Sequence, residues 1–419
     1  MKAAQVVQAV RVLRQELLDL AQALVRLPTV TGEEDAAQHY LARVWREWGL
    51  DVDLWTPERD EVSGHPAFCD DGLPIERPNL VARWGEAGDE PAALILNGHI
   101  DVVPVGERSR WESDPFSGDV RQGNLFGRGA CDMKGGLAAA SVAVRAAQGL
   151  GIVPKRPILL QSVIGEETGG LGTLAAILRG YHAEAAVITE PTGLTLCPVQ
   201  SGALSFRLTI PGRATHGATP QAGVSAIEKF WPVWQGMREL EARRHQNFRH
   251  PLYDPARLAA PLSVGKLSAG NWPSTVPDEA VAEGRYGVFP GEDCDVARRE
   301  LEEAIVEASR GDAWLRENPV RVDWIEGQFE PGETETGSPI LRDLGEAHRA
   351  VIGTEPRTLG VPYGSDLRLF TRHAKIPAVL YGPGDVQRAH AANECVPVEE
   401  LLAAAQVLCM LLMEVTARS

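Results

Sequence analysis

No CxxC pair occurs in the 419 residues, and the six cysteines (Cys69, Cys131, Cys197, Cys294, Cys395, Cys409) are scattered. Such usage argues against a disulfide scaffold and suits a reduced, cytoplasmic protein. Basic charge is in deficit: 41 Lys and Arg stand against 57 Asp and Glu, a formal net charge of −16. A general nucleic-acid binder needs basic surface to displace phosphate counterions, so that class is set aside. The acid excess favours solubility, and part of it can be carboxylates gathered to hold cations. No apolar run is read as long enough to span a bilayer, so no membrane partner is expected. Arg11, Arg14, Glu16 and Asp19 interrupt the segment where a signal peptide would carry its apolar core. There is no G-x-S-x-G nucleophile elbow, no internal repeat and no low-complexity tract.

What is present is enough apolar residue, 44%, for a sizeable core. The first thirty residues repeat Val7, Val10, Leu13, Leu17, Leu20 and Leu24 at intervals of three or four, which predicts an amphipathic helix. "TGEED" reads as a helix start, with Thr31 as a cap ahead of Glu34. Apolar strands then alternate with helices: "AALILNGHIDVV", "KGGLAAASVAVRAAQGLG", "PILLQSVIGEE", "GLGTLAAILRG" and "AAVITEP". That order predicts an α/β domain with a mostly parallel sheet. Near residue 200 the texture changes. "LSFRLTIPG" alternates with period two, "SAIEKFWPVWQGMRELEARR" reads as a helix interrupted by Pro232, and "DVARRELEEAIVEASR" is a charged amphipathic helix. These predict an inserted α+β domain over 201–326, between catalytic segments 1–200 and 327–419. "EGQFEPGETETG" reads as a linker, and a last helix runs from about Val398 to Val415.

The residues with chemistry fall at strand and loop ends beside Gly or Pro: His99 and Asp101 in "NGHIDVVP", Asp132 in "GRGACDMKGG", Glu166 and Glu167 in "GEETGG", Glu190 in "VITEPT" and His390 in "RAHAANE". Each alone has a plain structural reading: a His–Asp hydrogen bond, a helix cap at Asp132, a solvated loop. Together they meet, because the carboxyl ends of parallel strands converge on one crevice. Adjacent Glu166 and Glu167 repel each other unless a cation neutralises one; the other then stays free to move protons, and a metal-bound water is acidic enough to give one up.

These motifs resemble the two-zinc amidohydrolase and metallopeptidase family that includes acetylornithine deacetylase, succinyl-diaminopimelate desuccinylase, aminoacylase and glutamate carboxypeptidase. The likeness runs from "TGEED" to the last helix. It implies a zinc-exopeptidase-like catalytic domain, with helices on both faces of a mostly parallel sheet, and an inserted α+β lid and dimerisation domain. It implies that His99 and Glu190 bind one metal, Glu167 and His390 the other, and that Asp132 bridges them. Asp101 orients His99, and Glu166 is the general base and later the acid. The ions implied are two Zn2+, with Co2+ or Mn2+ as substitutes. In the inserted domain, "GRATHGATPQAG" resembles the segment that lends a histidine, here His216, to a neighbouring subunit's oxyanion, which implies a homodimer. Arg285 in "EGRYGVFPG" resembles an arginine that contacts the substrate carboxylate. "YGSDLRLF" (Gly364, Ser365, Asp366, Arg368) resembles a loop near the substrate, and Ser274 in "NWPSTVP" stands where the family usually has Asn. The implied reaction removes an N-acyl group from an amino acid or related amine. The alternative is a di- or tripeptidase or carboxypeptidase acting on short peptides with the same centre.

Overall fold

The structure is a computed structural model that describes residues 3–86, 88 and 90–418. The strands "LILNGH" and "ILLQSV" are buried at every residue, as interior strands covered on both faces should be. Four central strands, β1 (Leu94–His99), β2 (Ile158–Val163), β3 (Ala186–Ile188) and β4 (Ala378–Leu380), run parallel in the spatial order β2-β1-β3-β4. Antiparallel strands extend the sheet on either side: Asn79–Trp84 and Asp51–Trp55 beyond β2, and Leu196–Gln200 beside β4. The sheet has nine strands among the described residues, and its parallel character lies in the centre, where the site forms.

Adjacent residues of a strand face opposite sides. Asn97 reaches Thr173 of the Leu171–Leu178 helix, whereas a Cβ at Gly98 would meet Leu137 of α1 (Gly135–Gly149) at 3.3 Å. The two helices therefore cover opposite faces of β1. Gly136 lets α1 come close: a Cβ there would lie 2.1 Å from the Thr189 carbonyl oxygen. Gly136→Ala should cost about 1–3 kcal/mol as overpacking. Urea unfolding at constant m-value would check this, and unchanged stability would show the helix free to shift.

The last helix, α2 (Val398–Arg418), corrects one expectation. Val398–Ala417 is long and apolar enough to cross a bilayer, with mean hydropathy 1.6, yet 61% of its most apolar window is buried. It packs along α1 and the Pro339–Ile352 helix, so the composition is that of a core helix. The amino-terminal amphipathic run is two helices, Ala3–Val12 and Arg14–Arg26. Thr31 is not a cap: the next helix begins at Asp35 with Glu34 before it, and the Thr31 hydroxyl turns instead to Asp101 Oδ2 at 3.1 Å.

The chain forms two compact units. The first holds residues up to Val199, Glu333–Leu359 and everything from Ser365 on; the second holds Gln200–Gly332 and Gly360–Gly364. The second is an antiparallel sheet in the order Leu262–Ala269, Glu279–Val288, Gly202–Pro211, Arg321–Phe329. Its core gathers Leu204, Phe206, Leu208 and Ile210 against the helices Ala226–Asn247 and Cys294–Ser309. Pro232 does not interrupt the first of these helices. It removes one backbone donor, but burial of Val233, Met237 and Leu240 holds the helix together around it. The stretch read as a linker begins inside a strand, because Gln328 and Phe329 pair with Leu204 and Ala203. Residues 360–364, placed by sequence in the catalytic part, fall in the second unit, where a Cβ on Gly360 would strike the Tyr253 ring.

Candidate metal centre

β1 ends on His99, the turn after β2 carries Glu166 and Glu167, Glu190 follows β3, and His390 lies in the loop after β4. Asp132 sits in the kinked segment that leads into α1. All belong to the first unit. His99 Nε2 lies 3.1 Å from Asp132 Oδ1, and His390 Nε2 lies 3.4 Å from Asp132 Oδ2. One carboxylate therefore turns an oxygen to each imidazole. Glu167 Oε2 is 3.2 Å from His390 Nε2, and Glu190 Oε1 is 3.8 Å from His99 Nε2. A tetrahedral shell of nitrogen and oxygen at zinc distances puts its ligands about 3.3–3.6 Å apart. The observed separations bracket that value. Glu166 Oε1 and Glu167 Oε1 are buried without a hydrogen-bond partner, which is costly unless something else meets them. The donor set and the orphaned Glu167 oxygen fit two cations sharing Asp132.

Burial first, then neighbouring carboxylates, hold the carboxyls of Glu166 and Glu190 well above the usual range: Glu190, Asp366 and Glu167 act on the first, Asp132, Glu167 and Asp366 on the second, against the pull of His99. The charge of Glu167 raises His390 to about 11, with help from Asp132 and against the cost of burial. Burial lowers His99, but the carboxylates of Asp132, Glu166 and Asp101 outweigh it and leave the imidazole raised. Burial also works against Asp132, but its bonds to His390 and His99 hold it below the carboxylate range. Excess negative charge in this cluster is held by protons, which cations would displace.

The surroundings revise the part given to Asp101. His99 Nδ1 contacts the main-chain oxygen of Asp101 at 2.9 Å, while the carboxylate oxygen stands 3.8 Å away. A donating Nδ1 leaves Nε2 as the lone-pair nitrogen facing Asp132. β1 stops at His99, so the Asp101 side chain leaves the shared strand face and accepts from the Thr31 hydroxyl and from the Glu166 and Glu167 N–H groups, at 3.1, 3.1 and 3.2 Å. It fixes the turn that carries both glutamates. The same turn rests on a buried network that the sequence reading missed. Arg77 pairs with Glu34 at 2.9 Å and Asp71 at 3.2 Å, and Thr168 donates to Asp71 at 2.9 Å. Partners so far apart leave no local spacing to read.

The expected substrate contacts divide. Ser365 and Asp366 are buried with no exposed surface; Asp366 accepts from Thr173 at 2.5 Å, beneath the sheet's end rather than at an open surface. Gly364 packs on Phe329 in the second unit. His216 is exposed in a two-residue strand paired with Thr275, so it neighbours Ser274, whose carbonyl accepts from Gly217 N at 2.6 Å. Arg285 is half-buried and donates to the Pro362 carbonyl at 3.0 Å.

Imidazoles and carboxylates gathered around one shared aspartate, at the carboxyl ends of a parallel α/β core, define a metal-dependent hydrolase. The profile of peptidase family M20/M25/M40 matches residues 95–414, and the chain belongs to that family. N-formyl-4-amino-5-aminomethyl-2-methylpyrimidine deformylase of Halalkalibacterium halodurans is 30% identical over 413 residues, 93% of this chain and 92% of that protein. Acetylornithine deacetylase of Myxococcus xanthus is 29% identical over 361 residues, 84% of this chain and 88% of that protein. The solved structure of the di-peptidase Dug1p of Saccharomyces cerevisiae aligns with a TM-score of 0.79 at 14% identity, over 99% of this chain and 98% of that one. That likeness is one of fold.

Proposed function

We propose that the protein hydrolyses the amide of a small N-acylated amine or amino acid, releasing the acyl group as a carboxylate. The observation that carries this is Asp132 presenting one oxygen to each of two imidazoles, with the unpartnered Glu166 carboxylate beside them. Divalent ions, zinc with cobalt or manganese as substitutes, held by His99, Asp132 and Glu190 and by Asp132, Glu167 and His390, would acidify water and polarise the carbonyl. Glu166 takes the proton of the attacking water. Having taken that proton, Glu166 delivers it to the departing nitrogen. Asp101 holds Glu166 in place through the backbone. His216 of a neighbouring copy donates to the oxyanion.

The deformylase and deacetylase relatives favour a short acyl group, formyl or acetyl. The test is a hydrolysis screen of stripped protein given zinc, cobalt or manganese, against N-formyl-aminomethylpyrimidine, N-acetylornithine, N-succinyl-diaminopimelate and a dipeptide panel. Faster turnover of dipeptides than of every N-acyl amine would reject the deacylase reading. Hydrolysis that persists unchanged in chelator would reject the metal.

A homodimer through the second unit completes the proposal. In that unit the edge strand Leu262–Ala269 is largely exposed, with Leu267 at 55%, and the helix packed with it exposes Ile227 and Trp231, at 56% and 60%. An unpaired edge with apolar neighbours supports pairing with a second copy. Sedimentation should give twice the 45.3 kDa chain mass, and Leu267→Glu should shift it toward monomer. A fully active monomer would remove both the dimer and the part given to His216.

A further inference from the structure

Asp132 and His390 lie on segments 258 positions apart, and neither is in a regular strand. His390 has φ +58°, the left-handed region that costs a side-chain-bearing residue energy, and its side chain is half exposed. Asn393 in the same loop has φ +58° as well. Such a loop needs an external hold to keep an imidazole in register with the carboxylate it must share an ion with.

Glu394 supplies the contacts. Its Oε1 accepts from the main-chain N–H of Cys131 at 2.9 Å and of Asp132 at 3.1 Å. Its Oε2 accepts from Arg128 Nη1 at 2.5 Å, an ion pair whose side chains are 3% and 0% exposed. Its main-chain oxygen accepts from Gly127 N at 2.9 Å. Arg128 also donates to the carbonyls of Ala391, next to His390, and of Pro104, each at 3.3 Å. Thus the residue four positions after one ligand grips the backbone of the other.

We infer that Glu394, held by Arg128, is a positioning residue that locks the Asp132 segment to the His390 loop and so sets the affinity of the metal position they share. The inference rests on the two-metal reading above. Glu394 touches no reacting atom; it acts by fixing the successive main-chain N–H groups of Cys131 and Asp132. Outer partners of this kind typically govern metal affinity by 10–100-fold.

The test uses zinc itself, titrated into stripped wild-type protein, Glu394→Gln and Glu394→Asp against a chromophoric chelator, with thermal unfolding as the check on folding. Glu394→Asp keeps the charge opposite Arg128 but is one methylene short of the Asp132 backbone. Both variants should bind zinc about 10–100-fold more weakly. With zinc raised above the weakened Kd, kcat should recover while KM for substrate stays at its wild-type value, and the cobalt-substituted visible spectrum should broaden. A purely structural part would lower stability and leave zinc affinity intact. A folded variant with wild-type zinc affinity and cobalt spectrum overturns the inference. If Glu394→Gln does not fold, the aspartate variant decides. Wild-type protein that takes up no zinc sinks the two-metal reading and this inference with it; wild-type uptake of two ions, matched by the variants, sinks this inference alone.

Discussion

Glu166→Gln should keep both metal ions and lose turnover by about 10²–10⁴-fold, the usual worth of a positioned general acid–base. The amide matches the carboxylate in size but has no basic oxygen to take a proton from water. The experiment also settles a choice that geometry leaves open. His99, Asp132 and Glu167 offer ligand atoms within 4.8 Å of one another, but so do His99, Glu166 and Glu190. Glu166 Oε2 lies 4.0 Å from His99 Nε2, slightly farther than the Glu190 oxygen at 3.8 Å. A base has to stay off the ions, and the greater distance of Glu166 from His99 is in keeping with that. Metal content and kcat, measured on the same preparation, separate the roles. Loss of one equivalent of metal makes Glu166 a ligand; kcat within tenfold of wild type removes it as the base.

Stripping the metals should destabilise the protein, and by more as pH rises. Glu166, Glu190, His99 and His390 all have folded-state values above their ordinary ones. The folded chain then holds protons that the unfolded chain has released, so their stabilisation is complete below the ordinary value and is lost as pH climbs through the folded one. For the two glutamates that loss begins near 4.5; for His390 it runs from 6.5 to about 11. Asp132 has the opposite sign: lowered in the folded state, it contributes above 3.8 and its contribution disappears only in stronger acid. Between pH 6 and 8, therefore, the stripped protein weakens. The loaded protein does not follow it, because ions stand where protons stood. Free zinc at 1,000 times Kd adds about 4 kcal/mol per site. The gap in Tm between zinc-loaded and chelator-treated protein should widen from pH 6 to pH 8. A gap of constant size would mean that the ligands do not exchange protons for metal, and the ligand set would have to be redrawn.

The sequence by itself determined the elements and the chemistry they carry. A short apolar run such as "AALIL", bounded by turn signals, suits the middle of a covered sheet. A histidine or glutamate at the end of such a run, beside glycine, lies where parallel strands open. That logic needs only neighbours along the chain, and it singled out His99, Glu166, Glu167 and Glu190; Asp132 and His390, outside regular strands, took their roles from the family resemblance. Tertiary structure decided whom each group answers to. Asp101, read as the partner of His99 two residues away, gives that ring its carbonyl and sends its carboxylate 65 residues on, to the turn at Glu166. Thr31 caps nothing and serves Asp101; Glu394 grips a backbone 262 positions before it. Pro232 stays in a helix, and an apolar stretch fit for a bilayer becomes a core helix, because burial against distant elements outweighs a local preference. A local pattern tells a charge that it needs a partner; only the folded chain brings one within 3 Å, since a hydrogen bond's energy falls away within an ångström while its sequence separation has no bound.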